Sequence, residues 1–161
     1  MTATRNYSVR TDWGRFGVSF RGGRVCGLVF PNGRLRAPQL DGREAGPGRE
    51  LAEQLRAYLA GQRVRFRVAV DLSDGTPFQQ AVWRAMARIP YGRVRTYAQL
   101  AADVCRPGAA RAVGGAAGSN PLPLIIPCHR VVATGGLGGF SARGGVALKR
   151  RLLELEGAQL V

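Results

Sequence analysis

Cys128 and His129 are the first candidates for chemistry, because they place a thiol and an imidazole next to each other in the chain. His129 is the only histidine, and Cys128 is one of three cysteines, the others being Cys26 and Cys105. A thiolate is a strong nucleophile, and histidine is the side chain that exchanges a proton most readily near neutral pH. An inert buried cysteine beside a hydrogen-bonded histidine is the alternative, and the pair alone does not exclude it.

The residues before this pair indicate how it is held. The apolar run 124–126 predicts a short buried strand, and prolines stand at positions 121, 123 and 127. Neighbouring residues on an extended chain point to opposite faces, so Cys128 and His129 can act directly on each other only if the backbone turns. Pro127 favours such a turn, because it fixes its own φ and restricts the residue before it.

The composition is that of a globular protein. The chain has 161 residues, 45% of them hydrophobic, which is enough for one domain or two small ones. No apolar stretch has the length of a membrane helix, and no signal peptide is visible, so we expect a cytoplasmic protein. Three widely spaced cysteines do not form a disulfide framework. One histidine and no Cys-x-x-Cys pair argue against a structural zinc site.

The charge predicts a polyanionic partner. Lysine and arginine number 24 against 10 acids, giving a formal net charge of +14, and Lys149 is the only lysine. The planar fork of arginine suits phosphate and base edges, so nucleic acid is the simplest partner. A compositional preference for arginine on a solvated surface is the alternative. Residues 1–75 and 76–161 are both strongly basic, so charge alone does not locate a binding face.

The first half of the chain predicts a small α+β scaffold. Three strands are expected at residues 7–10, 15–20 and 24–30, followed by a loop at 31–48, a helix at 50–60 and a half-buried strand at 64–70. Gly22 and Gly23 form a good hairpin turn between the second and third strands. Cys26 falls in a strand run, where a core position is favoured over a reactive one. Residues 71–75 are a natural linker.

The second half predicts a helix-turn-helix. Thr76 and Thr96 each begin a capping box, which places helices from residue 76 to about 89 and from 97 to 104. A turn at 105–108 leads to a helix at 109–117 made almost entirely of small residues. Its only long side chain is Arg111, which fits close approach to a DNA backbone or a narrow groove. Tight packing inside the protein is an equally good explanation of that helix taken alone.

A glycine-rich segment and a final helix complete the chain. Residues 133–145 contain no phosphate-binding or dinucleotide fingerprint, and they predict a flexible wall that another molecule can approach closely. A helix is expected at 146–157, with Leu148, Leu152 and Leu155 buried and Lys149 among its charged residues.

Several motifs in fixed order resemble one family. They are Phe78-Gln79-Gln80-x-Val82-Trp83, Ile89-Pro90-Tyr91-Gly92, Thr96-Tyr97, Arg111-Ala112-Val113-Gly114, Asn120-Pro121, Pro127-Cys128-His129-Arg130 and Leu152-Leu153-Glu154-Leu155-Glu156-Gly157. This set is similar to the O6-alkylguanine-DNA alkyltransferases, also called methylated-DNA–protein-cysteine methyltransferases. The resemblance is dense from residue 76 to 157, and before that it rests on layout only. It implies an α+β fold with a small ribonuclease H-like N-terminal domain (residues 1–75) and a C-terminal helix-turn-helix or winged-helix-like alkyltransferase domain (76–161).

The resemblance implies a role for each residue of the reactive group. Cys128 would accept the alkyl group of O6-methylguanine, with O4-methylthymine a second candidate substrate, in a single irreversible turnover. His129 would act as its base through a water molecule, and Glu156 would orient the histidine. Asn120 would brace the turn near the site. Tyr97 would donate to the departing guanine and help rotate the phosphate.

The resemblance also implies how DNA is held. The target base must leave the stack, and Arg111 would fill its place from the minor groove. Double-stranded DNA is therefore the expected partner, bound by a monomer or by cooperative assembly, and no cofactor or metal is expected. Further DNA contacts would come from Thr96, Tyr97, Ala110, Ala112, Gly114 and Arg130, and the substrate pocket from Pro123, Val131 and Ser141.

Two other functions compete with this one. An alkyltransferase-like sensor would flip damaged guanine without chemistry, but such relatives lack the acceptor cysteine that Cys128 provides. An unrelated cysteine hydrolase could use Cys128, His129 and Glu156, but it would explain neither Arg111 nor the positive charge. The glycine-rich segment departs from the family pattern, with Phe140 where tyrosine is common and Ala142-Arg143 as an insertion. The range of accepted alkyl groups therefore stays open.

Overall fold

The structure is a computed structural model that describes residues 2–31, 47–142 and 144–159. The protein has a mixed α+β fold, as the sequence predicted, and the chain divides into two compact units, Met1–Leu72 and Ser73–Val161. Within the described residues, no helix combines the length and the apolar character that a membrane span would require.

The N-terminal unit is built on an antiparallel sheet of β1 (Thr4–Thr11), β2 (Gly14–Arg21) and β3 (Arg24–Val29), in that order. All three predicted strands are confirmed, and β1 is longer than predicted. Gly22 and Gly23 link β2 to β3 with φ values of +59° and +76°, the left-handed pair that a two-residue hairpin requires. Helix α1 (Pro47–Leu59) follows, and its apolar residues Leu51, Leu55, Tyr58 and Leu59 are buried.

Two predictions for this unit were wrong. No ladder forms over residues 64–70 within the described part of the chain, and only Val70 makes an isolated bridge, to Val25. The predicted alternation of exposure is nevertheless present there, because apolar residues are half-buried between exposed arginines. The predicted loop at 31–48 lies mostly outside the described residues, but Pro47 and Gly48 belong to α1. Proline is tolerated there because the first helical N–H groups need no partner within the helix.

The C-terminal unit begins with three helices. They are α2 (Pro77–Ala87), α3 (Tyr97–Asp103) and α4 (Ala110–Gly118), and the two-residue strand β4 (Arg95–Thr96) precedes α3. Both predicted capping boxes are confirmed, with Thr76 closing on Gln79 and Thr96 on Gln99. A buried bond from Trp83 Nε1 to the carbonyl of Ala116 (2.8 Å) fastens α2 to α4. The small residues of α4 allow this close approach.

The predicted strand at 124–126 is wrong. Leu124 has a left-handed φ of +73°, and the Ile126 N–H donates to the carbonyl of Leu122 (2.8 Å), so the chain folds back on itself. A 3₁₀ turn, Cys128–Arg130, follows directly. The chain then enters β5 (Val131–Val132), which pairs in parallel with β4.

Helix α5 (Gly145–Leu155) starts one residue before the prediction and ends two residues short of it. Its buried side chains are Lys149, Leu152 and Leu153, whereas Leu148 and Leu155 are only half-buried. Lys149, which the sequence placed among the charged residues of the helix, is therefore in the interior. Glu156 caps the end of α5 and is also buried.

Candidate active site

Asn120 holds the loop that carries Cys128. Its Nδ2 donates to the carbonyl of Ile126 (2.8 Å), and its Oδ1 accepts from the N–H of Leu122 (2.9 Å). One side chain thus ties both ends of the folded-back segment together, which fixes the backbone just before the 3₁₀ turn. Such local bonds explain how a loop with a left-handed leucine keeps a single conformation.

Cys128 is half-buried and begins the 3₁₀ turn. The Cys128 N–H donates to the carbonyl of Ile126 (2.8 Å), and the 3₁₀ turn replaces the extended geometry expected from sequence. Burial raises the pKa of Cys128, while Asn120, the Lys149 ammonium and the backbone N–H groups of Cys128 and His129 act in the opposite direction. The thiol is therefore held neutral at rest, with several groups ready to stabilise its anion.

His129 is fully buried and bonded to Glu156. The distance between His129 Nε2 and Glu156 Oε2 is 2.5 Å. Burial lowers the pKa of His129, and the nearby Arg130 and Lys149 cations lower it further, although Glu156 opposes them. The imidazole is consequently neutral near pH 7, which is the state that can accept a proton.

Arg130 is not placed to bind DNA, and this predicted contact was wrong. The residue is only 7% exposed, and its guanidinium donates to Glu156 through Nε (2.9 Å) and Nη2 (3.1 Å) and to the carbonyl of Ile89 through Nη1 (2.7 Å). The guanidinium also lies over the ring of Tyr91, 5.7 Å from its centroid. All these contacts face inward, so Arg130 positions Glu156 rather than a phosphate.

Glu156 is the centre of this buried network. Besides His129 and Arg130, it accepts from the N–H of Gly92 through Oε1 (2.9 Å). Burial alone would raise the pKa of Glu156, but the bonds from His129 and Arg130 lower it to about 2. Glu156 therefore stays ionised, with its charge balanced by Arg130, and orients a neutral histidine.

Lys149 is a site residue that the sequence interpretation missed. Its side chain is fully buried, and Nζ donates to the carbonyls of Val131 (2.6 Å) and Gly139 (3.0 Å). Burial lowers its pKa to about 8, while Cys128 acts in the opposite direction. The available signal was its spacing, because Lys149 lies three and four residues before the buried Leu152 and Leu153 and so shares their helix face.

Tyr97 stands between the helices and the glycine-rich segment. Its ring is 5.7 Å from Lys149 Nζ, and burial, followed by the charge of Cys128, raises the pKa of its phenol. A Cβ at Gly138 would approach the Tyr97 ring to 3.0 Å, and Gly138 also has a left-handed φ of +72°. Glycine is required there for both reasons. The structure thus brings Tyr97, Lys149 and Cys128 together.

Helix α4 has one buried face and one smooth exposed face. Val113, Ala116 and Ala117 are buried, whereas Arg111 and Ala112 are exposed near the helix start. The sequence left close DNA approach and internal packing as alternatives for this helix, and its two faces accommodate both. No side chain caps its N-terminus at Ala109, within the described residues.

The remaining predicted residues lie at different depths. Thr96 caps α3, and Ala110 and Gly114 are half-buried on α4. Ser141 is exposed, and its Oγ donates to the carbonyl of Gly118 (2.9 Å), so it ties the glycine-rich segment to the end of α4. Pro123 is half-buried and Val131 is fully buried. The pocket roles of Pro123, Val131 and Ser141 stay predictions.

Because Glu156 is ionised in the folded protein, we expect the protein to lose stability in acid. The pKa of Glu156 is about 2 in the folded protein, against an ordinary value of 4.5, so the unfolded chain binds the proton more readily. The ionised carboxylate contributes about 3 kcal/mol to the free energy of unfolding. This contribution is complete above about pH 4.5 and is lost as the pH falls towards 2. His129, neutral when folded, strengthens the same trend below its ordinary pKa of 6.5. Urea unfolding followed by circular dichroism from pH 7 to 3 should show this decline, and a free energy of unfolding independent of pH would contradict it.

Comparison with known proteins assigns the family. Residues 77–158, half of the chain, match the family model described as the DNA-binding domain of 6-O-methylguanine DNA methyltransferase. The chain belongs to this family. The matched region includes every residue of the network around Cys128, from Ile89 to Glu156. The family resemblance recognised in the sequence is thereby confirmed.

Mycobacterial proteins are among the similar relatives. The methylated-DNA–protein-cysteine methyltransferase of Mycobacterium tuberculosis is 53% identical over 105 residues, which are 65% of this chain and 62% of that protein. The aligned part therefore spans less than two thirds of that methyltransferase. The crystal structure of M. tuberculosis O6-methylguanine methyltransferase superposes with a TM-score of 0.82 at 36% identity, covering 99% of this chain and 96% of that one. The structure of M. tuberculosis OGT in complex with DNA gives a TM-score of 0.80 at 38% identity, covering 95% and 92%.

Proposed function

We propose that this protein repairs DNA by moving the alkyl group of O6-alkylguanine, chiefly O6-methylguanine, onto Sγ of its own Cys128. The observation that carries the proposal is a half-buried thiol on a braced turn, followed at once by a buried neutral histidine bonded to an ionised glutamate. This arrangement can produce a thiolate on demand and hold the proton that leaves it. Family membership and the names of the relatives agree with it.

The first step is removal of the thiol proton. Because His129 Nε2 is engaged by Glu156, the other ring nitrogen, Nδ1, is the one that receives the proton. A water molecule is the proposed carrier of the proton from Sγ of Cys128 to this nitrogen. When His129 becomes an imidazolium, Glu156 is already ionised beside it, and no further charge has to be moved to stabilise the ion pair.

Arg130 makes Glu156 a positioning group rather than a proton acceptor. Two donors of Arg130 hold the carboxylate in one orientation, and the bonds from His129 and Arg130 together keep the pKa of Glu156 at about 2. The carboxylate therefore fixes the histidine tautomer without taking its proton, as the acidic member of a hydrolase triad does. The buried charges balance within the group, since Arg130 compensates Glu156 before the reaction begins.

The second step is displacement at the alkyl carbon. The thiolate attacks that carbon, the S–C bond forms while the C–O6 bond breaks, and guanine departs with the bonding electrons and takes up a proton. Asn120 and the Lys149 ammonium oppose the raised pKa of Cys128 and so favour the anion. The phenol of Tyr97 is the proposed proton donor to the departing base, since it is half-buried close to Cys128. The thioether cannot return its alkyl group, so each molecule reacts once.

The target base must leave the duplex to reach Cys128. The exposed part of α4 carries only small residues around Arg111, which lets the helix approach a groove closely. Arg111 then occupies the space that the flipped nucleotide leaves in the stack. Thr96, Tyr97, Ala110, Ala112 and Gly114 are the remaining proposed DNA contacts. The proposed reaction is carried out by a monomer without a cofactor. Cooperative assembly on DNA and repair of O4-methylthymine stay predictions.

The Cys128→Ser variant tests the proposal against a damage sensor without chemistry. Wild-type protein mixed with duplex DNA carrying O6-methylguanine should remove one methyl group per molecule and then stop. The Cys128→Ser variant should still bind the duplex but remove no methyl group, because an alcohol is far less acidic than a thiol. Chromatography of the digested DNA gives the amount of O6-methylguanine left. Multiple turnovers, or equal removal by the variant, would contradict the proposal.

A further inference from the structure

Three arginines of the N-terminal unit stand at every second position of one segment. They have no part in the proposed chemistry. Arg63, Arg65 and Arg67 are exposed, while Val64 and Phe66 between them are half-buried. We call the three arginines the arginine edge. Because exposure alternates with a period of two, the three side chains leave the same side of an extended segment.

The segment is held in place from its other side. The ring of Phe66 packs against Tyr58 of α1, with centroids 5.7 Å apart. The N–H of Arg67 donates to Oε1 of Gln54 on the same helix (2.9 Å), and the carbonyl of Ala69 accepts a backbone bond from β3 (2.9 Å). The edge is thus anchored to a helix and to the sheet, and its arginines are presented on a fixed backbone.

The charges of Arg65 and Arg67 are not balanced nearby. Across residues 2–31, 47–142 and 144–159, no carboxylate lies within ion-pair distance of Arg65 or Arg67. Arg49, another exposed arginine of this unit, does reach Glu53 at 3.2 Å. The anchored guanidinium groups of Arg65 and Arg67 repel each other in the free protein, and binding of a polyanion relieves that repulsion.

We propose that the arginine edge is a second phosphate-binding surface, which holds the sugar–phosphate backbone of DNA. Side chains two residues apart on an extended segment are roughly 6.6 Å apart, so each guanidinium can reach a different phosphate of one strand. The guanidinium fork suits phosphate oxygens. A DNA strand presents these oxygens as a continuous row of negative charges. The inference rests on the proposed function only in taking DNA as the partner, and it gives the N-terminal unit a role beyond support.

Salt dependence of DNA binding by the full-length protein is the direct test. The Arg65→Gln/Arg67→Gln variant should lose about two phosphate contacts, so the slope of log K against log salt should become less steep by about 2. At low salt its affinity should fall about tenfold, equally for undamaged and O6-methylguanine duplexes, because phosphate contacts carry no sequence information. Fluorescence anisotropy with a labelled duplex measures both quantities.

A charge-matched control separates this surface from the general effect of net charge. Arg5→Gln/Arg49→Gln removes the same charge from exposed positions of the same unit and should change the slope far less. Both double variants should react with free O6-methylguanine base at the wild-type rate, since the catalytic unit is untouched. An unchanged slope in Arg65→Gln/Arg67→Gln, or an equal change in the control, would overturn the inference while leaving repair by the wild type intact. A wild-type protein that binds no DNA would instead overturn the proposed function.

Discussion

Replacing Glu156 by glutamine should slow alkyl transfer by about a hundredfold or more, the range that a positioned acid–base system contributes. A glutamine fits the same space and can still accept from His129, but it cannot pair with an imidazolium. The histidine then loses the counter-charge that makes it an effective acceptor for the thiol proton. Single-turnover rates on a duplex containing O6-methylguanine measure the loss, and an unchanged rate would contradict this role.

Stability has to be separated from chemistry in this experiment, because Glu156→Gln leaves the buried Arg130 guanidinium without its carboxylate. An uncompensated buried charge of this kind costs about 3–5 kcal/mol. The Arg130→Met/Glu156→Gln variant removes the cation as well, so it should recover much of the lost stability while staying slow. A double variant that regains both stability and rate would show that Glu156 acts only through folding.

Replacing Arg111 by alanine should impair repair of duplex DNA by about thirtyfold or more while leaving the reaction with free O6-methylguanine base nearly unchanged. Unstacking a base costs a few kcal/mol, and the side chain that fills the vacated space offsets part of that cost. Arg111 is exposed near the start of α4 and makes none of the contacts described around Cys128. Measuring both substrates under identical conditions therefore isolates base flipping from chemistry.

Two further variants sharpen the Arg111 experiment. Arg111→Lys keeps a long cationic side chain and should retain an intermediate rate on duplex DNA. Arg84→Ala removes an exposed arginine from α2, which has no proposed flipping role, and should lower duplex affinity only slightly. Equal losses on duplex and free base in Arg111→Ala, or an equal duplex defect in Arg84→Ala, would contradict the flipping role.

The features predicted correctly are those that short stretches of sequence determine. Thr76 and Thr96 each close a capping box with a glutamine three residues later, so the starts of α2 and α3 follow from four residues each. Gly22 and Gly23 likewise determine the hairpin between β2 and β3, because only glycine adopts paired left-handed φ values at no steric cost. Cys128, His129 and Glu156 were identified through a family resemblance. The structure bonds His129 to Glu156, and the catalytic roles of the three residues stay predictions.

The features predicted wrongly depend on contacts between distant residues. The apolar run 124–126 has the composition of a strand, but the side chain of Asn120 bonds both ends of the segment and folds it into a turn. Arg130 was expected to contact DNA, yet Glu156, 26 residues later, draws it into the interior. Lys149 was grouped with its charged neighbours, although the backbone carbonyls of Val131 and Gly139 supply the acceptors that permit its burial.

The identity of the acceptor atom is the central claim, and peptide mapping after reaction tests it most directly. Wild-type protein is incubated with a duplex carrying one O6-methylguanine, digested, and analysed by tandem mass spectrometry. The three cysteines, Cys26, Cys105 and Cys128, lie on separate arginine-bounded peptides, so each is scored independently. We expect one methyl group per protein molecule, on the peptide containing Cys128 and on its sulfur. A methyl group on Cys26 or Cys105, or no methyl group on any peptide while O6-methylguanine disappears from the DNA, would contradict the mechanism.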